Sequence, residues 1–242
     1  MIHKDIIKDF LLSYPQGDDK KIELALSLME ARGKSILERE DNYSDLYIDP
    51  NVDIVNSSPQ VIQQVKEEIT DFLKLLLEKK SNNILQIGLG HFAATHFSLS
   101  LLFDKVTTIE YDDNHVSRYL TEIGVGDRNT VVHDGNIVSH IDSGKRYSET
   151  IINGDSTDEN VISSVKDEIF DAVFIDGNHS YEYVKKDLQN YSPFVKQGGV
   201  VALHDANFEG ERYGTPQVIR ELNYDWKFIS HSKEVGIAYF IK

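Results

Sequence analysis

The chain has 242 residues, with 25 Lys and Arg against 40 Asp and Glu, and a formal net charge of -15. Such a surface repels phosphate backbones and anionic membranes, which argues against nucleic acid or a membrane as partner. Cysteine is absent, so neither a disulfide framework nor a thiolate metal site can form, and no apolar run approaches the roughly 18 residues of a spanning helix.

The length suits one large α/β domain, or one domain with a small cap. The amino terminus, MIHKDIIKDFLLSY, carries charges throughout and reads as an amphipathic helix rather than a signal peptide. A cytoplasmic protein is expected. Ile2 to Tyr14 and Lys20 to Arg32 read as two helices around Pro15-Gln16-Gly17. Glu38 to Ser58 is acidic and irregular, with Pro50 and Asn51 as breakers. Ser58 and Pro59 fit the N-cap and first position of a helix reaching about Lys80. Its apolar stripe is Ile62, Val65, Ile69, Phe72, Leu73 and Leu76. Residues 1–58 are therefore expected to form a helical cap or dimerisation segment, and residues 59–242 the principal domain.

From there strands and helices alternate. Asn83 to Ile87, Lys105 to Glu110 and Thr150 to Asn153 read as strands. Phe92 to Phe103, Asn114 to Ile123 and Asn160 to Val165 read as the helices that follow them. Residues 125–148 interrupt the pattern with glycine-rich turns and two β-rich pieces, Thr130 to Val132 and Ile137 to Ile141, and read as an inserted hairpin or lid. Phe170 to Ile175 is a strand buried on both faces. A helix follows from about Tyr181, with Val184, Leu188 and Tyr191 inward and Lys185, Lys186 and Asp187 outward. Gly198-Gly199 end that connection, and Val200 to Leu203 form the next strand. Thr215 and Pro216 open a further helix, with Thr215 as its N-cap. Trp226 to Ser230 and Gly236 to Ile241 are joined by too few residues for a parallel crossover. They must be antiparallel or belong to separate sheets. The expected fold is α/β: a mostly parallel seven-stranded sheet with a C-terminal antiparallel strand and helices on both faces.

Candidate sites gather at the carboxyl ends of the strands, where open α/β sheets bind ligands. Gln86-Ile87-Gly88-Leu89-Gly90 is a glycine turn from strand to helix. Glu110 ends the next strand, 22 residues after Gly88. An acid there can accept both hydroxyls of a ribose. Asp155, in Asn153-Gly154-Asp155-Ser156, can accept from an adenine amine or cap the following helix. Asp176, His204 and Asp205 end two adjacent strands. They can hold a hard cation such as Mg²⁺, or hold and deprotonate a substrate hydroxyl. His179 can serve as a general base near neutral pH, or as a wall of the site. The loop from Phe208 to Arg212 lies where an acceptor would bind.

The region from Pro59 to Lys242 resembles Rossmann-like S-adenosylmethionine-dependent methyltransferases. ILQIGLG resembles their first motif, TTIEYD the acidic strand end and INGDS the third-strand turn. FIDGNHSYEYVKKDLQNYSPFVKQGGVVALHD is similar to the subgroup of macrolide sugar O-methyltransferases and cephalosporin-hydroxylase-like proteins. The resemblance implies a donor site of Gln86, Gly88, Gly90, Glu110, Asp155, Ser156 and Asp176. It implies a divalent-metal site of Asp176, His204 and Asp205; the expected catalytic set is Asp176, His179 and Asp205, with His179 as the side-chain base. The expected activity is metal-assisted methyl transfer from S-adenosylmethionine to a hydroxyl of a small, sugar-like molecule, the only partner expected beyond a second copy of the chain. Two departures stand out: Gln86 where an acid is common, and bulky Phe92 where a small residue is common. A non-catalytic protein of the same fold therefore stays open. So does a nicotinamide-dependent dehydrogenase, although the terminal hairpin and the absent third glycine argue against it.

Overall fold

The computed structural model describes residues 4–13, 17–39, 64–122, 129–133, 136–142, 148–208, 210, 212–233 and 235–242. The helices are α1 (Lys4–Ser13), α2 (Asp18–Arg39), α3 (Lys66–Glu78), α4 (Ala94–Leu102), α5 (Asp113–Glu122), α6 (Glu159–Val165), α7 (Tyr181–Tyr191) and α8 (Thr215–Glu221). The strands are β1 (Asn83–Ile87), β2 (Lys105–Glu110), β3 (Asn129–His133), β4 (Asn136–Asp142), β5 (Ser148–Asn153), β6 (Phe170–Ile175), β7 (Val195–His204), β8 (Lys227–Ile229) and β9 (Ile237–Ile241).

Among the described residues, nine strands join one sheet in the order β3-β4-β5-β2-β1-β6-β7-β9-β8. The run β5-β2-β1-β6-β7 is parallel throughout. β9 then pairs antiparallel with β7, and β8 antiparallel with β9. These seven strands are the sheet expected from the alternation. The inserted segment is a hairpin: β3 and β4 pair antiparallel, and β4 pairs antiparallel with β5, which lengthens the sheet at that edge.

The central strands are covered on both faces, which explains their unbroken apolar sequence. Successive side chains leave opposite faces of a strand. Thus Ile84, Ala172 and Phe174 join one core cluster, with residues of α1 to α5. Leu85, Ile87, Val173 and Ile175 join the other, with residues of α6 to α8. On the first face Leu11, Ile22, Leu26 and Met29 are completely or almost completely buried. Helices α1 and α2 therefore contribute to the main core.

Several boundaries move. Val65 is extended and α3 starts at Lys66, not near Pro59; Ser58, Pro59 and the acidic stretch 40–58 lie outside the described residues. Its stripe of Ile69, Phe72, Leu73 and Leu76 is buried as expected. Helix α4 starts at Ala94, because Ala93 adopts a left-handed φ of 48°. Strand β7 begins at Val195 and runs through Gly198-Gly199 instead of starting after them. Gly199 lies so near β6 that a Cβ would sit 2.6 Å from the Asp171 carbonyl oxygen. Gly214, not Thr215, is the N-cap of α8. Asp187, expected outward, is fully buried. Its position lies three residues after Val184 and four before Tyr191, which puts it on the buried stripe.

Candidate active site

The turn after β1 is built for close backbone approach. Gly88 and Gly90 have φ of 91° and 70°, values open to glycine at little steric cost. A Cβ on Gly88 would meet the Asp176 carbonyl oxygen at 2.1 Å. The ends of β1 and β6 are locked together by the Asp176 amide donating to the Ile87 carbonyl at 2.9 Å. Gln86 is buried, and its Nε2 donates to the Gly88 carbonyl at 2.6 Å.

Glu110 reaches across to this turn. One carboxylate oxygen accepts from the Leu89 and Gly90 amides at 2.6 and 3.1 Å, and the other from the Asp112 amide at 2.8 Å. Burial pushes this carboxyl up, but His115 and the backbone donors outweigh it and hold Glu110 below its ordinary range. The acid braces the glycine turn it was expected to complement. Asp155 makes a tight turn, its Oδ1 accepting from the Thr157 amide and hydroxyl at 2.8 Å each, while Oδ2 accepts from the Tyr183 hydroxyl at 3.2 Å. The cap of α6 is Asp158, whose Oδ1 accepts from the Asn160 amide at 2.7 Å, and not Asp155. The Ser156 carbonyl accepts from Tyr191, which ties this turn to α7.

The second cluster lies at the ends of β6 and β7. Asp176, His179 and Asp205 each offer a ligand atom, and these atoms lie within 4.8 Å of one another. His179 Nδ1 is 2.7 Å from Asp205 Oδ2. His204 Nδ1 lies 2.9 Å from Asp176 Oδ1 and 3.2 Å from Asp205 Oδ1, yet among the described residues neither ring nitrogen makes a hydrogen bond of good geometry. Burial alone would push the His204 ring down; the two carboxylates outweigh it and raise it well above the ordinary histidine value. Burial opposes the same trend at His179, where Asp205 raises the ring. Asp205 moves the other way: burial opposes the shift, but the two imidazoles hold it below the usual carboxylate range. Its backbone takes a left-handed φ of 58°, the sort of outlier that gathers at functional sites.

Three side chains absent from the expected set complete the picture. Gln64, just ahead of α3, donates from Nε2 to Asp176 Oδ2 at 2.8 Å. Phe208 and Tyr213 stack with ring centres 4.0 Å apart, and Tyr213 lies 5.4 Å from the His179 ring. Gln64 stands in no motif, so the sequence carried no signal for it. Phe208 was covered only as part of a loop, and Tyr213 stands just ahead of the helix expected from Thr215 without a signal of its own.

Residues 85–206 match the family model described as a methyltransferase domain. The chain belongs to this methyltransferase family. Among solved structures, this methyltransferase is similar to an O-methyltransferase from Bacillus cereus in complex with S-adenosylhomocysteine. Identity is 14%, coverage 98% of this chain and 97% of that one, and the TM-score 0.51. It is also similar to the N-methyltransferase NodS from Bradyrhizobium japonicum, at 17% identity, covering 73% and 95% of the two chains, with a TM-score of 0.51. A TDP-rhamnose 3'-O-methyltransferase of calicheamicin biosynthesis matches at 11% identity over 99% and 92%, with a TM-score of 0.50. At such identities the likeness is one of fold. No curated protein sequence matches the chain. The family assignment removes the dehydrogenase alternative. Among the described residues, no helix of this methyltransferase is long and apolar enough to cross a membrane.

Proposed function

We propose that this methyltransferase moves the methyl group of S-adenosylmethionine to a hydroxyl of a small, sugar-like acceptor, with a divalent cation at the acceptor side. The observation that carries the reading is the double use of Asp176. It lines the cavity formed with Gln64, Gln86, Gly88, Gly90 and Thr95, and it belongs to the cluster with His179 and Asp205. A donor in the first and an acceptor at the second would meet at one carboxylate, the proximity that group transfer requires.

The residues fit both ligands. A Cβ at Gly88 would clash with the Asp176 carbonyl, so the glycine turn packs directly on the end of β6, and among the described residues Gln64 and Gln86 each leave a buried carbonyl oxygen unsatisfied beside it. S-adenosylmethionine brings a methyl group already activated by its sulfonium. Gly88 and Gly90 would let the backbone approach it, Glu110 would accept from the ribose and Asp155 from the adenine amine. Asp176, Asp205 and His179 offer oxygen and imidazole ligands suited to Mg²⁺ or Mn²⁺. Such a cation would stabilise negative charge on the acceptor oxygen. We assign His204, whose charge balances the two carboxylates from the buried side, a supporting place behind that group. The Phe208–Tyr213 pair offers a flat wall for an acceptor ring, in keeping with pockets that combine aromatic walls and few polar groups.

Of residues 1–58, we assign α1 and α2 to the core beside the glycine turn rather than to a dimer interface. Arg32 of α2 donates to the Phe92 carbonyl beside the glycine turn, which ties the segment to the site. Phe92, bulky where a small residue is common, is buried in the core cluster that α1 and α2 share. The test is methyl transfer to a panel of hydroxyl-bearing small molecules, followed as S-adenosylhomocysteine formation, before and after exhaustive chelation. Turnover should vanish on chelation and return with Mg²⁺ or Mn²⁺. Asp205→Asn should lose turnover and retain S-adenosylhomocysteine binding. Turnover that survives chelation contradicts the cation and leaves His179, held by Asp205, as the base.

A further inference from the structure

Gln64 lies outside the residues that match the family model, yet it reaches the centre of the site. Its amide can face only one way. A carboxylate accepts and does not donate, so Nε2 must point to Asp176 Oδ2, 2.8 Å away. Oε1 is then turned to the other side. The same logic fixes Gln86, whose Nε2 must face the Gly88 carbonyl. Both residues line the cavity beside the glycine turn. Both Oε1 atoms are buried, and among the described residues neither has a hydrogen-bond partner. Gln64 is 9% exposed and Gln86 1%.

Buried carbonyl oxygens without donors are unusual enough to need an explanation. Here two of them stand beside a carboxylate around one cavity. The cavity is therefore rich in acceptors and suits a group with several N–H donors and a positive charge. It disfavours a carboxylate among these acceptors, so the α-carboxylate of an amino-acid tail would have to face away from them. We propose that Gln64, together with Gln86 and Asp176, binds the α-ammonium of the amino-acid tail of the methyl donor. The inference rests on the donor reading above. It makes Gln64 a binding residue that selects donors by their amino-acid tail, and it gives a reason for Gln86 where an acid is common. With Asp176 already supplying one negative charge, two neutral carbonyls complete the acceptor set without adding like charges.

The experiment compares two ligands by titration calorimetry on the intact chain. S-adenosylhomocysteine carries the amino-acid tail; 5'-methylthioadenosine keeps the nucleoside and thioether but lacks it. Gln64→Met preserves length and removes both polar atoms. S-adenosylhomocysteine should bind the variant about ten- to a hundred-fold more weakly, the range expected for an unpaired buried polar group. Methylthioadenosine binding should change less than about twofold. Equal weakening of both ligands, or no change in either, overturns the inference and leaves Gln64 a structural residue. Failure of the unsubstituted chain to bind either ligand overturns the donor reading and the inference with it. If Gln64→Met does not fold, Gln64→Asn, which withdraws the carbonyl by one methylene, must show the same selective loss.

Discussion

Asp187 shows how a single side chain sets a pH dependence. It is fully buried, and among the described residues neither carboxylate oxygen has a hydrogen-bond partner of good geometry. Burial pushes its carboxyl up to about 7, with Asp155 adding to the effect and the Ser156 hydroxyl opposing it. The unfolded chain titrates near 4. The folded state therefore holds the proton more tightly, and stability falls as pH rises from about 4 through about 7. Asp187→Asn should flatten that slope. Between pH 5 and 8 the variant should gain roughly 1–3 kcal/mol relative to the natural chain in urea unfolding; parallel profiles would contradict it. Glu110 braces the glycine turn and is the residue we propose to accept from the ribose. Because it braces the glycine turn through the Leu89 and Gly90 amides, Glu110→Ala should weaken S-adenosylhomocysteine binding by about 1–3 kcal/mol and also lower the melting temperature. Unchanged affinity in calorimetry would move the ribose elsewhere. The strand-end acids were legible because an acid after an apolar run stands out. Gln64 was not, since a lone glutamine ahead of a helix has no pattern, and its role exists only through the fold that brings it to Asp176.

Elements were more legible than their ends. Strand β6 matches its expected bounds because an apolar run closed by Asp176-Gly177 has sharp edges. The inserted hairpin was visible as two β-rich pieces between glycine turns, but its pairing with β5 is a long-range choice that local pattern cannot reveal. The start of α3 was misplaced because Ser58-Pro59 is a strong local signal, and the extended Val65 departs from it. Helix α1 carries a consequence for truncation. Leu11 is fully buried and packs in the cluster with Ile22, Leu26 and Met29. Each such side chain contributes roughly 1.5–3 kcal/mol by burial. Removal of residues 1–17 should therefore expose an apolar face, lower the melting temperature and increase binding of a hydrophobic dye. A truncated chain with unchanged melting would show α1 to be dispensable for the core.

For the molecule as a whole, the order of the central strands puts the glycine turn and the Asp176–Asp205 pair on one edge, because parallel strands all end on the same side. The net charge of -15 makes the surface a poor host for polyanions, whereas the nucleoside thioether product carries a compensated amino-acid tail. Composition and strand alternation thus reached the fold and the strand edge that gathers the candidate site, while the stacking of Phe208 and Tyr213 beside His179 is a loop contact that local pattern cannot reveal. The central claim is that the cavity between the glycine turn and Asp176 holds the methyl donor. Titration calorimetry of the intact chain with S-adenosylhomocysteine, set against NAD, tests it most directly. Saturable binding of S-adenosylhomocysteine at one site per chain, and no heat with NAD, are expected. Absence of S-adenosylhomocysteine binding, or saturable binding of NAD in its place, would contradict it.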